Sequence, residues 1–175
     1  MPNLLVCAFD IECYSFDGSF SDATRSTDLI TMICLSFQRL SNQDEVQSHV
    51  LTLDCASYTK PGVVVEQCAS EEELLQRFAC VVAERDPDIL TGYNIDKFDM
   101  NYMHIRLQDK KTFYAKLSRT NIPAAFSSRT STSAQKGSNS TARFIVPGRS
   151  TIDMLPKAID YNSTLKLTTS WLISS

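Results

Sequence analysis

Short apolar segments separated by polar loops fill the first part of the chain. Residues 4–13 and 29–37 are mostly apolar and carry few residues that favour helices, which predicts two buried β-strands. Residues 46–53 alternate weakly between apolar and polar and predict a third strand, with residues 41–44 as the turn before it. Because the connections are short, we expect these strands to form an antiparallel meander.

The middle of the chain changes to a helical pattern. Ser70 and Glu73 form a capping box, since the Ser70 hydroxyl can accept from the amide three residues on while Glu73 reaches back. Apolar residues then follow at helical spacing, namely Leu74, Leu75, Phe78, Val81 and Val82. Asp86-Pro87 predicts the end of this helix. A short strand over residues 89–93 and a second helix from residue 96 or 97 to about residue 108 are expected next.

A polar segment interrupts the last third of the chain. Residues 127–143 are rich in Ser and Thr, and residues 144–154 are apolar again. We interpret the segment as two β-arms joined by a polar tip and followed by a strand through residues 151–153; the alternative is a disordered insertion. The order β-β-β-α-β-α with an extra hairpin predicts an α/β fold of the RNase H-like type, a mixed sheet flanked by helices.

Composition narrows the class of protein. A chain of 175 residues with 43% hydrophobic and 21% charged residues is typical of one globular domain with a sizeable core. No apolar run approaches the ~20 residues of a membrane span, and the start lacks the basic segment of a signal peptide, so no membrane partner is expected. The six cysteines contain no Cys-x-x-Cys pair, so we expect reduced thiols in an intracellular protein rather than a zinc site.

Charge is distributed unevenly. Residues 110–150 contain eight basic residues and no acidic one, which leaves nine basic against 20 acidic residues elsewhere, a net charge of −11. A basic stretch on an acidic body predicts a polyanionic partner on one face, although a solvated basic loop would have the same composition.

Three carboxylates indicate a possible chemistry. Asp10 and Glu12 end the first predicted strand and, being two residues apart, point to the same face. Asp99 falls in the first turn of the second predicted helix, where the helix dipole favours a negative charge. Two divalent metals about 4 Å apart can activate a water and stabilise a leaving oxygen, and Mg²⁺ prefers oxygen ligands. The pattern therefore predicts metal-assisted cleavage of a phosphodiester; a chance surface pair and an ordinary helix start are the alternatives.

Three ordered motifs carry a resemblance to a known family. They are the segments 9–13, 86–95 with Phe98-Asp99, and Gly148-Arg149 with 152–155. Together they resemble the 3′→5′ proofreading exonuclease domain of family B DNA polymerases, above all the eukaryotic delta-type and large DNA-virus enzymes. The resemblance covers nearly the whole chain and implies an RNase H-like exonuclease fold with an inserted hairpin at about residues 126–147.

The resemblance implies roles for the carboxylates. Asp10, Glu12 and Asp99 are similar to the catalytic, metal-binding carboxylates of the family, which implies two divalent ions, Mg²⁺ or Mn²⁺. It also implies that the chain is part of a DNA-directed DNA polymerase and helps to excise mispaired 3′-terminal nucleotides.

The resemblance also implies DNA contacts. Asn94 and Phe98 are similar to residues that contact the frayed 3′-terminal nucleotide, Phe98 by base stacking. Phe20 is similar to a second aromatic residue there, and Arg149 belongs to the set of implied DNA-binding residues. The implied partners are the single-stranded 3′ primer end of DNA, the remainder of the polymerase chain and accessory subunits. The implied place is the nucleus, or a host nucleus or viral factory.

One family motif is missing. No tyrosine of the chain is followed four residues later by an aspartate, as the third exonuclease motif Tyr-x-x-x-Asp requires. We therefore expect residues 1–175 to be a C-terminally incomplete exonuclease domain whose own hydrolysis is weak or nil. Two alternatives stay open. One is a free-standing exonuclease of the same carboxylate superfamily, although Tyr93-Asn94 replaces the His-Asn pair usual there. The other is a non-catalytic nucleic-acid-binding module on a decayed exonuclease fold.

Overall fold

A six-stranded mixed sheet with helices beside it forms the centre of the computed structural model, which describes residues 3–54, 61–133 and 137–165. The strands are β1 (Leu5–Tyr14), β2 (Leu29–Arg39), β3 (Asn42–Thr52), β4 (Val63–Gln67), β5 (Ile89–Gly92), β6 (Ala125–Ser133), β7 (Gly137–Ile145) and β8 (Ser150–Asp153). The helices are α1 (Glu71–Arg85), α2 (Asp99–Arg106), α3 (Lys110–Leu117) and α4 (Met154–Leu165). The predicted α/β class is confirmed.

The sheet has the strand order β4-β3-β2-β1-β5-β8. Strands β1, β2 and β3 form the antiparallel meander that the short connections predict. Strand β5 pairs in parallel with β1, and β8 pairs in parallel with β5. Strand β4, which the apolar pattern did not reveal, pairs in parallel with β3. Asp10 and Glu12 of β1 therefore lie where the antiparallel part of the sheet meets the parallel pair of β1 and β5.

The turn between β2 and β3 differs from the expected one. It occupies residues 40–41, and Arg39 pairs directly with Asn42, so β3 begins four residues before the predicted start. The polar composition of residues 41–44 predicts a turn. A backbone ladder needs no apolar side chains at the exposed end of a hairpin, so the two-residue connection is possible there.

One face of β1 packs into the core through Cys7, Phe9 and Ile11, all of which are buried. Phe9 meets Phe78 of α1 edge to face, with 5.3 Å between ring centroids. Asp10 and Glu12, which alternate with these buried residues, are exposed on the opposite face of β1. This alternation is the strand period of two, and it separates the packing residues of β1 from its carboxylates.

Helix α1 follows its sequence signals closely. Glu73 N–H donates to Ser70 Oγ at 3.2 Å, and Glu73 Oε2 accepts from Ala69 N at 2.6 Å, so the returning half of the capping box reaches one residue further than usual. The helix ends at Arg85, and Asp86 adopts a left-handed conformation (φ 50°) before Pro87. Capping at the start and Pro87 at the end explain why this helix was predicted accurately.

The other helices deviate from the sequence expectations. Helix α2 begins at Asp99 rather than at residue 96 or 97, because Asn94 has a positive φ of 62° and residues 95–98 form a turn. Helices α3 and α4 were not predicted. Helix α3 has an N-cap, since Asp109 Oδ1 accepts from Thr112 N at 3.0 Å, but its apolar face is short.

Strands β6 and β7 form a separate antiparallel hairpin, in which Ala125 lies opposite Ile145 and Ser133 opposite Gly137. Near its base, Phe144 is fully buried. The five cysteines in the described part of the chain, Cys7, Cys13, Cys34, Cys68 and Cys80, have free thiols; Cys55 lies outside the described residues. Among the described helices, none combines the length and apolar character needed to cross a membrane.

Candidate active site

Asp10 and Glu12 project from the face of β1 opposite the core. Asp10 lies opposite Cys34 of β2, and Glu12 lies opposite Met32. Burial, and then the charges of Glu12 and Asp10, raise the pKa of Cys34, which places both carboxylates near the same thiol. The two side chains therefore share a face, as the spacing predicts.

Asp99 approaches the same strand from α2. Its side chain is only 1% exposed, and its Oδ1 accepts from Ile11 N at 3.1 Å, which fixes the first residue of α2 against the backbone of β1. Burial, followed by the charge of Asp10, raises the pKa of Asp99 to about 7. The structure thus brings Asp10 and Asp99 together at the cost of repulsion between two acids.

Glu12 is less closely associated with this pair. It is not among the groups that shift the pKa of Asp99. In the described part of the chain, no three His, Cys, Asp or Glu side chains are placed together closely enough to hold a metal ion. Asp10 and Asp99 lie together with Glu12 two residues along β1, and the role of the three carboxylates as metal ligands stays a prediction.

The chemistry of the pair suits a hard cation. No ion pair joins Asp10 or Asp99 to a lysine or arginine among the described residues, and burial and the charge of Asp10 raise the pKa of Asp99. Mg²⁺ is bound through one or two carboxylates together with waters and substrate phosphates, and a complete protein cage is not required. The donors present in the described residues thus fit such an ion.

The turn between β5 and α2 carries Asn94 and Phe98. Asn94 N–H donates to Asp153 Oδ1 at 2.9 Å, and Asp96 N–H donates to Asp153 Oδ2 at 3.2 Å. The side-chain oxygen of Asn94 is buried and has no hydrogen-bond partner among the described residues. An unsatisfied buried amide oxygen is costly, so this atom is available to a ligand group that donates a hydrogen bond.

Gly92 brings β5 unusually close to β1. A Cβ atom at this position would lie 2.5 Å from Phe9 O and 2.5 Å from Ile95 Cγ2. Because one of these atoms belongs to the backbone, a side chain could be accommodated only by moving the strands apart. Glycine is therefore required here for close approach.

An aromatic surface lies beside the carboxylates. Phe20 and Phe98 are in contact, with 5.5 Å between ring centroids, and Phe98 also contacts Tyr102 at 5.8 Å. Phe20 is 79% exposed. Two depressions border this aromatic pair; one is also lined by Ile11 and Glu12 of β1, and the other by Lys97, Asn101 and Tyr102. The pair thus has space on both sides and lies directly beside the acidic strand end.

Arg149 is located away from these residues. Its side chain is 2% exposed, and it donates from Nη1 to Asp86 Oδ1 at 2.7 Å and to Pro87 O at 2.6 Å. Its Nε donates to Leu117 O at 3.0 Å. These bonds give Arg149 a structural role at the start of β5, and its expected DNA contact stays a prediction.

Sequence reasoning missed Asp153 as a part of this region. Its carboxylate accepts three backbone N–H groups, from Asn94, Asp96 and Leu155. A signal for it was available, because an Asp directly before a helix is a common N-cap, but α4 itself was not recognised.

The fold and the paired carboxylates define a nucleic-acid exonuclease domain, and comparison with known families agrees. The sequence model of the family described as "DNA polymerase family B, exonuclease domain" matches residues 1–172. The chain therefore belongs to the exonuclease-domain family of family B DNA polymerases.

Individual relatives support the same assignment. The chain is 44% identical over 106 residues to the DNA polymerase catalytic subunit of elephantid herpesvirus 1, covering 58% of this chain and 10% of that protein. It is 32% identical over 166 residues to DNA polymerase 120R of invertebrate iridescent virus 3, covering 89% and 14%. It is 34% identical over 160 residues to the DNA polymerase delta catalytic subunit of Mesocricetus auratus, covering 87% and 14%. The chain thus spans about a tenth to a seventh of these curated relatives.

Proposed function

We propose that this domain removes nucleotides from the 3′ end of single-stranded DNA, as part of a family B DNA polymerase that proofreads during replication. The observation that carries the proposal is the pair Asp10–Asp99, in which a buried carboxylate held against β1 by Ile11 N–H lies beside a second acid whose charge helps to raise its pKa to about 7. Such a pair costs stability, and a bound divalent ion would relieve that cost.

Asp10 and Asp99 are the residues that would hold divalent metal ions, with Glu12 as a further ligand. Two Mg²⁺ or Mn²⁺ ions at such a site supply a nucleophile at neutral pH and stabilise the departing oxygen. The contribution of the chain itself is positional: Ile11 N–H holds Asp99, and β1 presents Asp10 and Glu12 on one face.

The aromatic pair Phe20–Phe98 would hold the end of the DNA strand. Exposed aromatic rings bind single-stranded nucleic acid by stacking on bases, which is worth about 1–3 kcal/mol per base and tolerates any sequence. The unsatisfied oxygen of Asn94 could accept from a hydroxyl or amino group of the terminal nucleotide. These contacts would place a terminal phosphodiester near the carboxylates.

The wider assignments follow from the relatives. Two of them are named catalytic subunits of DNA polymerases, so we propose that this domain acts together with the remainder of a polymerase chain and its accessory subunits. Replication by a delta-type enzyme would place it in the nucleus, and replication by a viral enzyme would place it in a host nucleus or viral factory.

The test uses the 175-residue chain with a single-stranded oligodeoxythymidylate labelled at its 5′ end, or at its 3′ end in a parallel sample. Mn²⁺ binding is measured first, from the electron paramagnetic resonance signal of the free ion. We expect Asp10→Asn and Asp99→Asn to weaken Mn²⁺ binding at least about tenfold, whereas the control Asp109→Asn, which keeps an acceptor at the start of α3, leaves it unchanged. Equal Mn²⁺ binding by wild type and both site variants would refute the proposal.

Cleavage distinguishes the second candidate function. Because the sequence contains no Tyr-x-x-x-Asp, we expect slow hydrolysis, in which the 3′ label is released as a mononucleotide while the 5′-labelled strand shortens one nucleotide at a time. The second candidate is a DNA-binding module without catalysis, which is favoured by the lack of a three-residue metal cluster among the described residues. That alternative predicts binding of the oligonucleotide without loss of the 3′ label at any Mn²⁺ concentration.

A further inference from the structure

We propose that Asp153 is a positioning residue, which fixes the turn carrying Asn94 and Phe98 and thereby sets the place of Asp99 against Asp10. This inference rests on the proposed function and adds a residue to it. Asp153 ends β8 and directly precedes α4. It comes from a part of the chain that is more than 50 residues away from the turn it binds.

The contacts of Asp153 go beyond those of a helix cap. Its Oδ1 accepts from Leu155 N at 2.9 Å, which is sufficient to cap α4. The same oxygen also accepts from Asn94 N at 2.9 Å, and Oδ2 accepts from Asp96 N at 3.2 Å. Two of its three bonds are therefore directed at the active-site turn and do nothing for α4.

The turn needs such external support. Asn94 has a φ of 62°, a left-handed conformation that is uncommon for residues other than glycine. A strained backbone persists only when the surrounding structure holds it. Asp153 provides this support by satisfying the N–H groups of both Asn94 and Asp96. Three residues later, the chain enters α2 at Asp99, so the orientation of the turn determines where Asp99 lies.

A second carboxylate extends this fixation to the hairpin. Asp96 Oδ1 accepts from Phe144 N at 3.0 Å, at the base of β7. Thr151 Oγ1 donates to Phe144 O at 2.8 Å, so β8 holds the same residue through its carbonyl group. The turn, the base of the hairpin and β8 are thus joined through Asp153, Asp96 and Thr151, and displacement of the hairpin base would be transmitted to Asp99.

The experiment compares Asp153→Ala and Asp153→Asn with a helix-cap control, Asp109→Ala. The control removes the cap of α3, a loss of similar kind, without touching the active-site turn. For each protein, amide hydrogen exchange at residues 94 and 96 is measured by NMR, and the dissociation constant for Mn²⁺ is measured well below the melting temperature.

We expect Asp153→Ala to raise exchange at both amides and to weaken Mn²⁺ binding by about 10- to 100-fold, the usual effect of losing a residue that orients a metal ligand. Asp153→Asn keeps one carbonyl oxygen, so it should protect Asn94 N–H and lose protection mainly at Asp96, with a smaller loss of Mn²⁺ affinity. Asp109→Ala should leave exchange at residues 94 and 96 and Mn²⁺ affinity unchanged.

Two outcomes overturn the inference. One is a folded Asp153→Ala variant with wild-type Mn²⁺ affinity and protected amides. The other is an equal loss of Mn²⁺ affinity in Asp109→Ala, which would reduce the effect to stability alone. If the wild-type chain binds no Mn²⁺, the proposed function fails, and the exchange rates at residues 94 and 96 still decide whether Asp153 holds the turn.

Discussion

Acidic residues near the two ends of β5 have opposite electrostatic surroundings. Before the strand, Asp86 and Asp88 pair with Arg119, and Asp86 also pairs with Arg149. Hydrogen bonds from Arg119 and from Leu5 N–H, respectively, are the main causes that lower their pKa values. After the strand, Asp99 lies beside Asp10, neither acid forms an ion pair among the described residues, and the pKa of Asp99 is raised to about 7.

The difference separates carboxylates that arginines of the protein neutralise from the pair that we propose to bind metal. Acids whose charge is neutralised by the protein stabilise the fold and have little left to offer a ligand. Acids whose repulsion is left unrelieved lower stability and persist where a ligand supplies the missing charge. The comparison can be tested at each end of β5 separately.

The largest effect is expected from Asp99 in metal-free protein. Because its pKa is raised from 3.8 to about 7 on folding, the folded state holds the proton more tightly. The free energy of unfolding should therefore fall as pH rises from about 4 to about 7 and then level off, by on the order of 2–4 kcal/mol. Asp99→Asn should remove this component, and Mn²⁺ at pH 7 should offset it.

The measurement is urea unfolding in the presence of a chelator at several pH values. The difference between wild type and Asp99→Asn isolates the contribution of Asp99, because other titrating groups are common to both proteins. Asp86 and Asp88, before β5, have the opposite pH dependence. Because their pKa values are lowered on folding, they stabilise the protein above about pH 4, and this stabilisation is lost as pH falls. A wild-type curve parallel to that of Asp99→Asn would show that the Asp10–Asp99 pair is not strained.

The next largest effect is expected from Arg149 at the compensated end. Arg149→Ala would leave Pro87 O and Leu117 O without their donor and Asp86 with one partner fewer, at about 2–3 kcal/mol of unfolding free energy. Arg119→Ala is the matched control, since that side chain is more exposed and its loss should cost less. DNA affinity should be unchanged by Arg149→Ala; a large loss in the folded variant would restore the DNA contact expected from sequence.

The smallest effect is expected from Phe20, at the functional end. Phe20→Ala removes one ring of the aromatic pair and should weaken binding of single-stranded oligodeoxythymidylate about tenfold, with little change in the melting temperature. Phe16→Ala is the control, because Phe16 is similarly exposed (77%) and is outside that pair. Fluorescence anisotropy of a labelled oligonucleotide gives both affinities, and equal losses would argue against a specific stacking surface.

Local signals predicted much of this fold. Strand β1 has a long apolar run, and α1 has both a capping box and a terminating proline, so their limits were found within one or two residues. Strand β4 and helix α3 were missed because their stability comes from partners far away in sequence. Strand β4 is held by its parallel pairing with β3, and α3 buries Phe113, Tyr114 and Leu117 on a short amphipathic face.

The site was predictable only where local spacing along the chain determines it. Spacing alone placed Asp10 and Glu12 on one face, but the association of Asp99 with Asp10 depends on a hydrogen bond to Ile11 that joins residues 88 apart. Arg149 was assigned to DNA from a motif, whereas its burial depends on where β5 and α3 meet. The roles of Asn94, Phe98 and Phe20 stay predictions that the measurements above address.

The close approach of β5 to β1 at Gly92 has a consequence for mutations in the gene. Every amino-acid replacement that a single base change in a glycine codon can produce introduces a Cβ atom, and here that atom would collide with the backbone of β1. Such an allele would alter the separation of the two acids while leaving every acidic codon intact. If the domain proofreads, a polymerase gene carrying it should raise the mutation rate of its own genome, although inspection of the carboxylates alone would class it as normal.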